Sequence, residues 1–205
     1  MGGALGEFCS GEGSSNNRIV NSYVAAVEEA IGASGMKDKT IVDLGCGDFT
    51  VGRRLLHLAK NYIGVDIVRP LIERNHVLYG AHTVSFQTLD IIKDELPPGD
   101  ICFLRQVLQH LSNEQIITIL KKLDLYNLVF ITEHYPSQVV TRPNVDKVHG
   151  GDTRLENGSA VFLEQPPFCL PKESLEIVLE VAVADDPFFD SGVLRTFLFQ
   201  PGKIK

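Results

Sequence analysis

A glycine-containing turn and an acidic residue that follows it have the spacing of a ligand-binding site. The run Asp43-Leu44-Gly45-Cys46-Gly47-Asp48 ends a short β-branched stretch and precedes a segment with helical periodicity. Glycines in such a turn let the backbone bend tightly and approach a ligand without side-chain obstruction. Asp66 ends the next apolar stretch, about 20 positions after Gly45, where a carboxylate can accept hydrogen bonds from a ribose diol.

A second acidic residue, Asp90, ends the third apolar stretch of the chain. In a sheet of parallel strands the carboxyl ends of neighbouring strands share one edge, and ligands bind at that edge. Three successive strands that each bring a suitable group to one edge are therefore stronger evidence for a site than a pair of glycines alone.

The elements that must position these groups alternate between strands and helices. Five apolar stretches are predicted as strands, over Thr40–Leu44, Tyr62–Val65, Val84–Leu89, Ile101–Leu104 and Leu128–Ile131. Helices are predicted from Ile19 to Gly32, over Val51–Ala59 and Leu71–Tyr79, and from Ser112 to Leu123. Pro70 suits a first helical position, and Ser112 with Gln115 matches a capping box. This alternation indicates an α/β fold whose parallel sheet is covered on both faces.

The predicted domain organisation is a single domain over residues 18–205 behind a flexible tail, residues 1–17, that is rich in Gly, Ser and Asn. The rhythm breaks after Pro136, and residues 137–173 are predicted as an insertion or lid beside the site. Ser174–Ala184 is compatible with helix or strand. Val193–Phe199 is predicted as the last strand, with Asp185–Gly192 as the turn before it.

Composition and charge narrow the classes of partner. The net charge of -7 argues against nucleic acid, because polyanion binding needs clustered Lys and Arg. No apolar run reaches the ~18 residues that cross a bilayer, and the first residues lack the features of a secretion signal. The scattered cysteines are expected to be free thiols, and no metal-ligand spacing occurs. A cytoplasmic protein with neither membrane span nor bound metal is therefore expected.

The motifs at the glycine turn resemble those of a known family. VDLGCGD followed by YIGVDIV resembles the first two signature motifs of the class I S-adenosylmethionine-dependent methyltransferases. Leu89-Asp90-Ile91 and the stretch RQVLQHLS resemble the third and fourth motifs, so that the resemblance covers residues 40–131. It implies a Rossmann-like methyltransferase fold, with a doubly wound, mostly parallel seven-stranded sheet, and S-adenosylmethionine as cofactor.

The resemblance also implies roles for individual residues. The methionine part of the cofactor would be bound by Asp43, Gly45, Cys46 and Gly47, with Arg105 and Gln106 under its end. The ribose hydroxyls would be bound by Asp66, with Ile67 against the adenine. The adenine amino group would be bound by Asp90, with Ile91 beside it.

One position departs from the family pattern, and a nicotinamide dinucleotide is an alternative cofactor. The family usually has a third glycine two places after Gly47, where this chain has Phe49. A nicotinamide fingerprint, GxGxxG, fits less well because it needs glycine at Thr50. The acid Asp43 suits a cationic cofactor and gains nothing beside a pyrophosphate. The remaining alternative is that the glycines make only a tight turn.

Candidates for the chemistry are expected after the fourth and fifth strands. Methyl transfer to a hydroxyl or a protonated amine benefits from a general base, and the titration range of His110 suits that role. A structural role of His110 in its turn is the alternative. Glu133 and His134 are further catalytic candidates, and Tyr135 is a candidate substrate contact, because all three are expected to follow the fifth strand directly.

Two residues of the insertion, His149 and Arg154, are also candidate substrate contacts. An arginine can pair with a substrate carboxylate or phosphate, and the glycines between the two residues can let the loop close over the site. The alternative is a solvated turn in which Asp152 bonds its own backbone.

The function that these features favour is methyl transfer to an oxygen or nitrogen of a small molecule. A protein or RNA methyltransferase, and a non-catalytic cofactor-binding module of the same fold, are the alternatives. Fold and cofactor site do not dictate the methyl acceptor.

Overall fold

The computed structural model describes residues 16–137, 139–183 and 192–204. The predicted tail lies outside the described residues except for its last two positions. Asn16 caps the first helix, α1 (Asn17–Ser34), by accepting hydrogen bonds from Arg18 N and Ile19 N at 3.0 and 3.3 Å. The helix therefore begins one residue before the predicted domain boundary. It also runs past the predicted stop at Gly32 and ends at Gly35, which takes the left-handed conformation with φ 71°.

Within the described residues, seven strands form one sheet in the order β3-β2-β1-β4-β5-β7-β6. Their bounds are β1 (Lys39–Leu44), β2 (Ala59–Asp66), β3 (Val84–Thr88), β4 (Ile101–Arg105), β5 (Leu128–Pro136), β6 (Leu175–Val183) and β7 (Gly192–Phe199). The pairs β1–β2 and β2–β3 are parallel, whereas β7 runs antiparallel to both β5 and β6. The predicted seven-stranded α/β sheet is confirmed. The single domain over residues 18–205 stays a prediction, since the contacts cluster into two compact units that meet after Phe103.

The unit up to Phe103 has an aromatic cluster beside the glycine turn. The Phe49 ring is fully buried and lies 5.3 Å from Tyr62, 5.3 Å from Tyr79 and 4.8 Å from Phe86, between ring centroids. Such edge-on aromatic contacts add to the stabilisation from apolar burial. The cluster connects β2, β3 and the second helix, α2 (Arg69–Tyr79), which begins one residue before Pro70, the predicted first helical position.

The predicted amphipathic helix over Val51–Ala59 is wrong in type. Residues Gly52–Leu58 form a 3-10 helix, and Ala59 already belongs to β2, where it pairs with Lys39 of β1. A Cβ atom at Gly52 would lie 2.6 Å from the Phe49 ring and 2.8 Å from the Tyr62 hydroxyl. Glycine at position 52 thus lets the 3-10 helix pack closely on the aromatic cluster, because any residue with a Cβ atom would clash there.

In the unit that begins at Leu104, β5 is longer than predicted. It continues beyond Ile131 to Pro136 because β7 pairs with it throughout, from Val129 with Phe199 to Pro136 with Gly192. Residues 133–135 therefore lie inside the strand. The segment left open between helix and strand is the strand β6, and most of the predicted turn at 185–192 lies outside the described residues.

The third helix, α3 (Asn113–Lys122), begins with the predicted capping box. The Ser112 hydroxyl accepts a hydrogen bond from Gln115 N at 3.3 Å, and the Gln115 side chain accepts one from Ser112 N at 3.0 Å. Its buried residues Ile116, Ile119 and Leu120 follow the predicted helical spacing.

The described part of the insertion is organised around a buried asparagine. Asn144 is 5% exposed and has the left-handed φ of 54°. Its amide nitrogen donates to Phe162 O and Pro166 O, both at 2.9 Å, and its amide oxygen accepts from Phe162 N at 2.7 Å. One side chain therefore connects residues near the two ends of the insertion.

Replacing the capping hydroxyl tests the start of α3. Ser112→Ala leaves the Gln115 N–H without its side-chain acceptor, so the free energy of unfolding should fall by about 1 kcal/mol. Urea titration followed by circular dichroism measures this. Ser85→Ala, at an exposed position of β3, should change the free energy by less than about 0.5 kcal/mol. Equal losses in both variants would contradict the capping role.

Candidate active site

The glycine turn after β1 is built from main-chain bonds to the end of β2. Gly45 N and Cys46 N both donate to Val65 O, at 2.8 and 2.9 Å. Gly45 and Gly47 take left-handed φ values of 81° and 55°, which glycine adopts at little cost. The turn therefore closes against the carboxyl end of β2, as the predicted parallel arrangement requires.

The Asp66 carboxylate lies beside this turn with both oxygens oriented by the backbone. Oδ2 accepts a hydrogen bond from Gly47 N at 3.1 Å, and Oδ1 accepts one from Val68 N at 3.0 Å. Because a carboxylate oxygen can accept two hydrogen bonds, each oxygen keeps capacity for a further donor. A vicinal diol has two such donors, so the geometry fits the predicted ribose contact. Neighbouring Ile67 is 58% exposed and so offers an apolar surface for an aromatic base.

Asp43 and Cys46 are both almost fully buried, so little of either side chain is accessible to a ligand. Asp43 is 7% exposed and accepts a hydrogen bond from the Tyr62 hydroxyl at 2.8 Å. Burial, followed by the charge of Asp43, raises the pKa of the Tyr62 hydroxyl well above its usual range. Burial and the same carboxylate also raise the pKa of Cys46, so this thiol stays protonated and unreactive.

Asp90 follows β3 in a turn of its own. Its Oδ1 accepts a hydrogen bond from Ile92 N at 3.0 Å, and its Oδ2 lies 3.1 Å from Lys93 Nζ. Burial acts to raise its pKa, but these two partners outweigh burial and hold the pKa below the ordinary value. The group is therefore a carboxylate at neutral pH. Ile91 beside it is half-buried.

A residue that sequence reasoning missed holds the glycine turn from the other side. Asn75 of α2 is fully buried, and its amide nitrogen donates to Gly47 O at 2.7 Å. The signal was available, because Asn75 occupies the apolar face of α2 defined by Leu71 and Ile72. A polar residue on such a face needs a partner.

Phe49, at the position where the family has its third glycine, has a backbone conformation typical of glycine. Phe49 has a φ of 64°, in the left-handed region that side chains rarely adopt. Its ring is anchored in the aromatic cluster, which offsets the local backbone strain. Phe49 therefore takes the left-handed backbone conformation that a glycine at this position would adopt without strain.

The end of β4 carries the two other predicted cofactor residues. Arg105 closes the strand and is half-buried. Gln106 has a left-handed φ of 55°, and its N–H donates to Thr132 O at 2.7 Å. Their contact with the cofactor stays a prediction.

His110 ends the short 3-10 helix Leu108–His110 that follows β4. Its ring is half-buried, and Nδ1 lies 3.2 Å from Asp152 O. Burial is the main reason that the pKa of His110 lies below its ordinary value, and the nearby charge of Lys147 lowers it further. The imidazole is therefore neutral at pH 7.

Glu133 does not follow β5 as predicted but points inward from it. The residue is 1% exposed, and its Oε1 accepts a hydrogen bond from Leu108 N at 2.8 Å. Burial raises the pKa of Glu133 to about 8, against the lowering effect of the N–H groups of Leu108, Gln109 and Val107. This arrangement assigns Glu133 to holding the turn after β4. A catalytic contact stays a prediction without support from its position.

His134 and Tyr135 are likewise inside β5. His134 is 7% exposed and packs against β7, where a Cβ atom at Gly192 would lie 2.6 Å from its Nε2. Tyr135 is 4% exposed, donates its hydroxyl to Val161 O at 2.6 Å and lies under the Arg195 guanidinium, 4.7 Å from the ring centroid. The expectation that residues 133–135 follow the fifth strand is wrong, because pairing with β7 extends their strand to Pro136.

The two predicted substrate contacts of the insertion differ in exposure. His149 is exposed and lies 3.4 Å from Gln115 Nε2 through its Nδ1. Arg154 is 1% exposed, and its guanidinium donates to Leu111 O at 2.6 Å and to Val145 O. Two donors of the guanidinium are thus already used by main-chain carbonyls, which favours an anchoring role for Arg154 over contact with a substrate.

The described residues contain neither a candidate metal site nor a candidate membrane-spanning helix. Within residues 16–137, 139–183 and 192–204, no group of His, Cys, Asp and Glu side chains has the arrangement of a metal site. Among the same residues, no helix is long and apolar enough to cross a bilayer.

Removing the Asn75 amide tests its role in the turn. Asn75→Ala leaves the Gly47 carbonyl without this donor, so the free energy of unfolding should fall by about 1–3 kcal/mol. Urea denaturation measures the loss. Glu73→Ala, at an exposed position of the same helix, is the control and should stay close to wild type. A loss of stability no larger than that of the control would contradict the role of Asn75 in holding the turn.

Neutralising Glu133 should change how stability depends on pH. Because the pKa of Glu133 is raised to about 8, the folded protein keeps this proton up to about pH 8, whereas the unfolded chain releases it near the ordinary glutamate pKa of 4.5. Wild-type stability should therefore decrease as the pH rises between these values. Glu133→Gln removes this titration, so its free energy of unfolding should decrease less between about pH 5 and about pH 8. The control Glu114→Gln, an exposed acid of α3, should retain the wild-type decrease. Identical pH profiles for wild type and Glu133→Gln would contradict the assignment.

Comparison with known proteins gives matches in structure alone. No protein-family model matches the chain, and no curated protein matches it in sequence. The N-methyltransferase NodS from Bradyrhizobium japonicum WM9, in complex with S-adenosylhomocysteine, aligns with a TM-score of 0.62 at 14% identity, over 90% of this chain and 88% of NodS. Magnesium protoporphyrin IX methyltransferase (ChlM) from Synechocystis PCC 6803, with bound S-adenosylhomocysteine, aligns at 0.56 and 16% identity, over 94% and 90%.

A third solved structure is a protein-modifying enzyme. The ribosomal protein L11 methylase from Lactobacillus delbrueckii subsp. bulgaricus aligns with a TM-score of 0.55 at 16% identity, over 96% of this chain and 82% of the methylase. The matched proteins modify different kinds of acceptor, while the matched architecture is the same. The chain has the fold of the class I S-adenosylmethionine-dependent methyltransferases.

Proposed function

We propose that this protein binds S-adenosylmethionine and transfers its methyl group to an acceptor. The observation that carries the proposal is the Asp66 carboxylate, which two backbone N–H groups hold beside the glycine turn with acceptor capacity to spare. The same fold in methyltransferases crystallised with S-adenosylhomocysteine supports the choice of cofactor.

The residues of the first unit fit this cofactor part by part. Asp66 would bind the ribose diol, and exposed Ile67 would lie against the adenine. The Asp90 carboxylate would accept a hydrogen bond from the adenine amino group. The left-handed turn at Gly45 and Gly47 would leave room for the methionine part. Buried Asp43 would act at longer range, as a negative charge that favours a cationic ligand.

The chemistry that the cofactor supplies is a methyl group already activated by a sulfonium. The protein then has to orient the acceptor and, for a hydroxyl or an ammonium, remove a proton. We propose His110 for that task, because its ring is partly exposed and neutral at pH 7. Glu133, His134 and Tyr135 are each almost fully buried, and so are less suited to it.

For the acceptor we propose an oxygen or nitrogen of a small molecule. The net charge of -7 is unfavourable for docking on a nucleic acid backbone. Two structural neighbours support this choice: NodS is an N-methyltransferase, and ChlM methylates magnesium protoporphyrin IX, a small molecule. The L11 methylase keeps a protein acceptor as the second candidate.

Isothermal titration with S-adenosylhomocysteine tests the cofactor. Wild type should bind it, and Asp66→Ala should bind roughly 100-fold more weakly, because two hydrogen bonds to a charged acceptor are lost. Glu95→Ala, an exposed acid in the same unit, should bind as wild type does.

Two results would contradict the proposal. Absence of binding to wild type at millimolar ligand would overturn the proposed function as a whole. Equal affinity of Asp66→Ala and wild type would leave binding intact but remove the ribose contact.

A further inference from the structure

A single segment of the insertion, Lys147–Asp152, holds His110 by both its backbone and its ring. Gly150 N donates to His110 O at 3.1 Å, and Lys147 Nζ donates to the same carbonyl at 3.2 Å. The ring nitrogen Nδ1 lies 3.2 Å from Asp152 O. These three contacts fix both the position of the residue and the orientation of its imidazole.

Lys147 is the centre of this arrangement. Its side chain is only 3% exposed, and its ammonium contacts Val148 O at 2.7 Å, His110 O at 3.2 Å and Asp152 Oδ1 at 3.2 Å. An ammonium has three N–H donors, and each of them has an acceptor here. A lysine buried in this way would be costly without such partners, so the contacts constrain the segment strongly.

The contact with Asp152 O selects one tautomer of the neutral ring. A main-chain carbonyl only accepts hydrogen bonds, so Nδ1 must carry the proton. The lone pair of neutral His110 then resides on Nε2, the nitrogen that has no role in this contact.

We propose that Lys147 is a positioning residue that makes Nε2 of His110 the proton-accepting atom. It does so by binding the His110 carbonyl and the side chain of Asp152, whose main-chain carbonyl accepts a hydrogen bond from Nδ1–H of His110. The use of this atom in methyl transfer rests on the proposed function, but the arrangement of the ring does not.

The charges around the ring act in a definite direction. Burial lowers the pKa of His110, and the Lys147 ammonium lowers it further, whereas the Asp152 main-chain contact and the Asp152 charge raise it. Loss of Lys147 should therefore raise this pKa, and loss of the Asp152 charge should lower it. These opposite directions separate a positioning effect from a general loosening of the fold.

Nitrogen-15 NMR of the histidine rings in the full chain tests the proposal without any acceptor. In wild type near neutral pH, His110 should be a single Nδ1–H tautomer. Lys147→Met should give a mixture of tautomers and a raised pKa of His110. Asp152→Asn should keep the tautomer and lower the pKa. Lys121→Met removes a charge from an exposed position of α3 and should match wild type.

Three results would overturn the proposal: an Nε2–H tautomer in wild type, no change in Lys147→Met, or the same change in Lys121→Met. If Lys147→Met does not fold, Lys147→Gln takes its place. Because it removes the charge and supplies two N–H donors for three acceptors, it should give the same changes to a smaller extent, and no change would overturn the proposal. Titration of the same samples with S-adenosylhomocysteine keeps the two proposals distinguishable. Wild type that binds the ligand but has the wrong tautomer contradicts only the role of Lys147, and the reverse result contradicts only the cofactor.

Discussion

The backbone of Gly47 is held on both sides, through its N–H and through its C=O, and the geometry of the candidate cofactor site depends on this. Its N–H donates to the Asp66 carboxylate, and its carbonyl accepts from the buried amide of Asn75. The first contact connects the turn to the end of β2 and the second connects it to α2. Because the same carboxylate is the proposed ribose ligand, the bond that shapes the turn also orients the group that binds.

The second unit has a comparable device made of buried polar groups around the turn after β4. Glu133 accepts the Leu108 N–H from the side of β5, while Lys147 and Arg154 donate to the carbonyls of His110 and Leu111 from the side of the insertion. Each of these groups would be costly if it were buried alone. Together they satisfy main-chain groups at the two ends of the 3-10 helix Leu108–His110, where a helix leaves such groups without partners of its own.

The sequence predicted the alternating strands, the glycine turn with Asp66, and the capping box of Ser112, because each follows from local residue types. It failed where distant residues decide. Glu133 and His134 were placed after β5, since the pairing that extends this strand comes from β7, far along the chain. Arg154 looked like a substrate contact because a sequence does not reveal that its guanidinium is enclosed by the carbonyls of Leu111 and Val145. Asn75 could have been found from its place on an apolar helix face.

The bulky residue at position 49 has a consequence for neighbouring positions. Phe49 adopts the backbone of a glycine, and the space for its ring depends on glycines elsewhere: a Cβ at Gly52 would meet the Phe49 ring, and one at Gly64 would meet Phe86 at 2.7 Å. The volume gained at one position is thus compensated by volume given up at two others. A search for this fold that requires all three glycines of the motif would overlook chains that, like this one, have a phenylalanine at the third position and glycines in the strand and helix behind it.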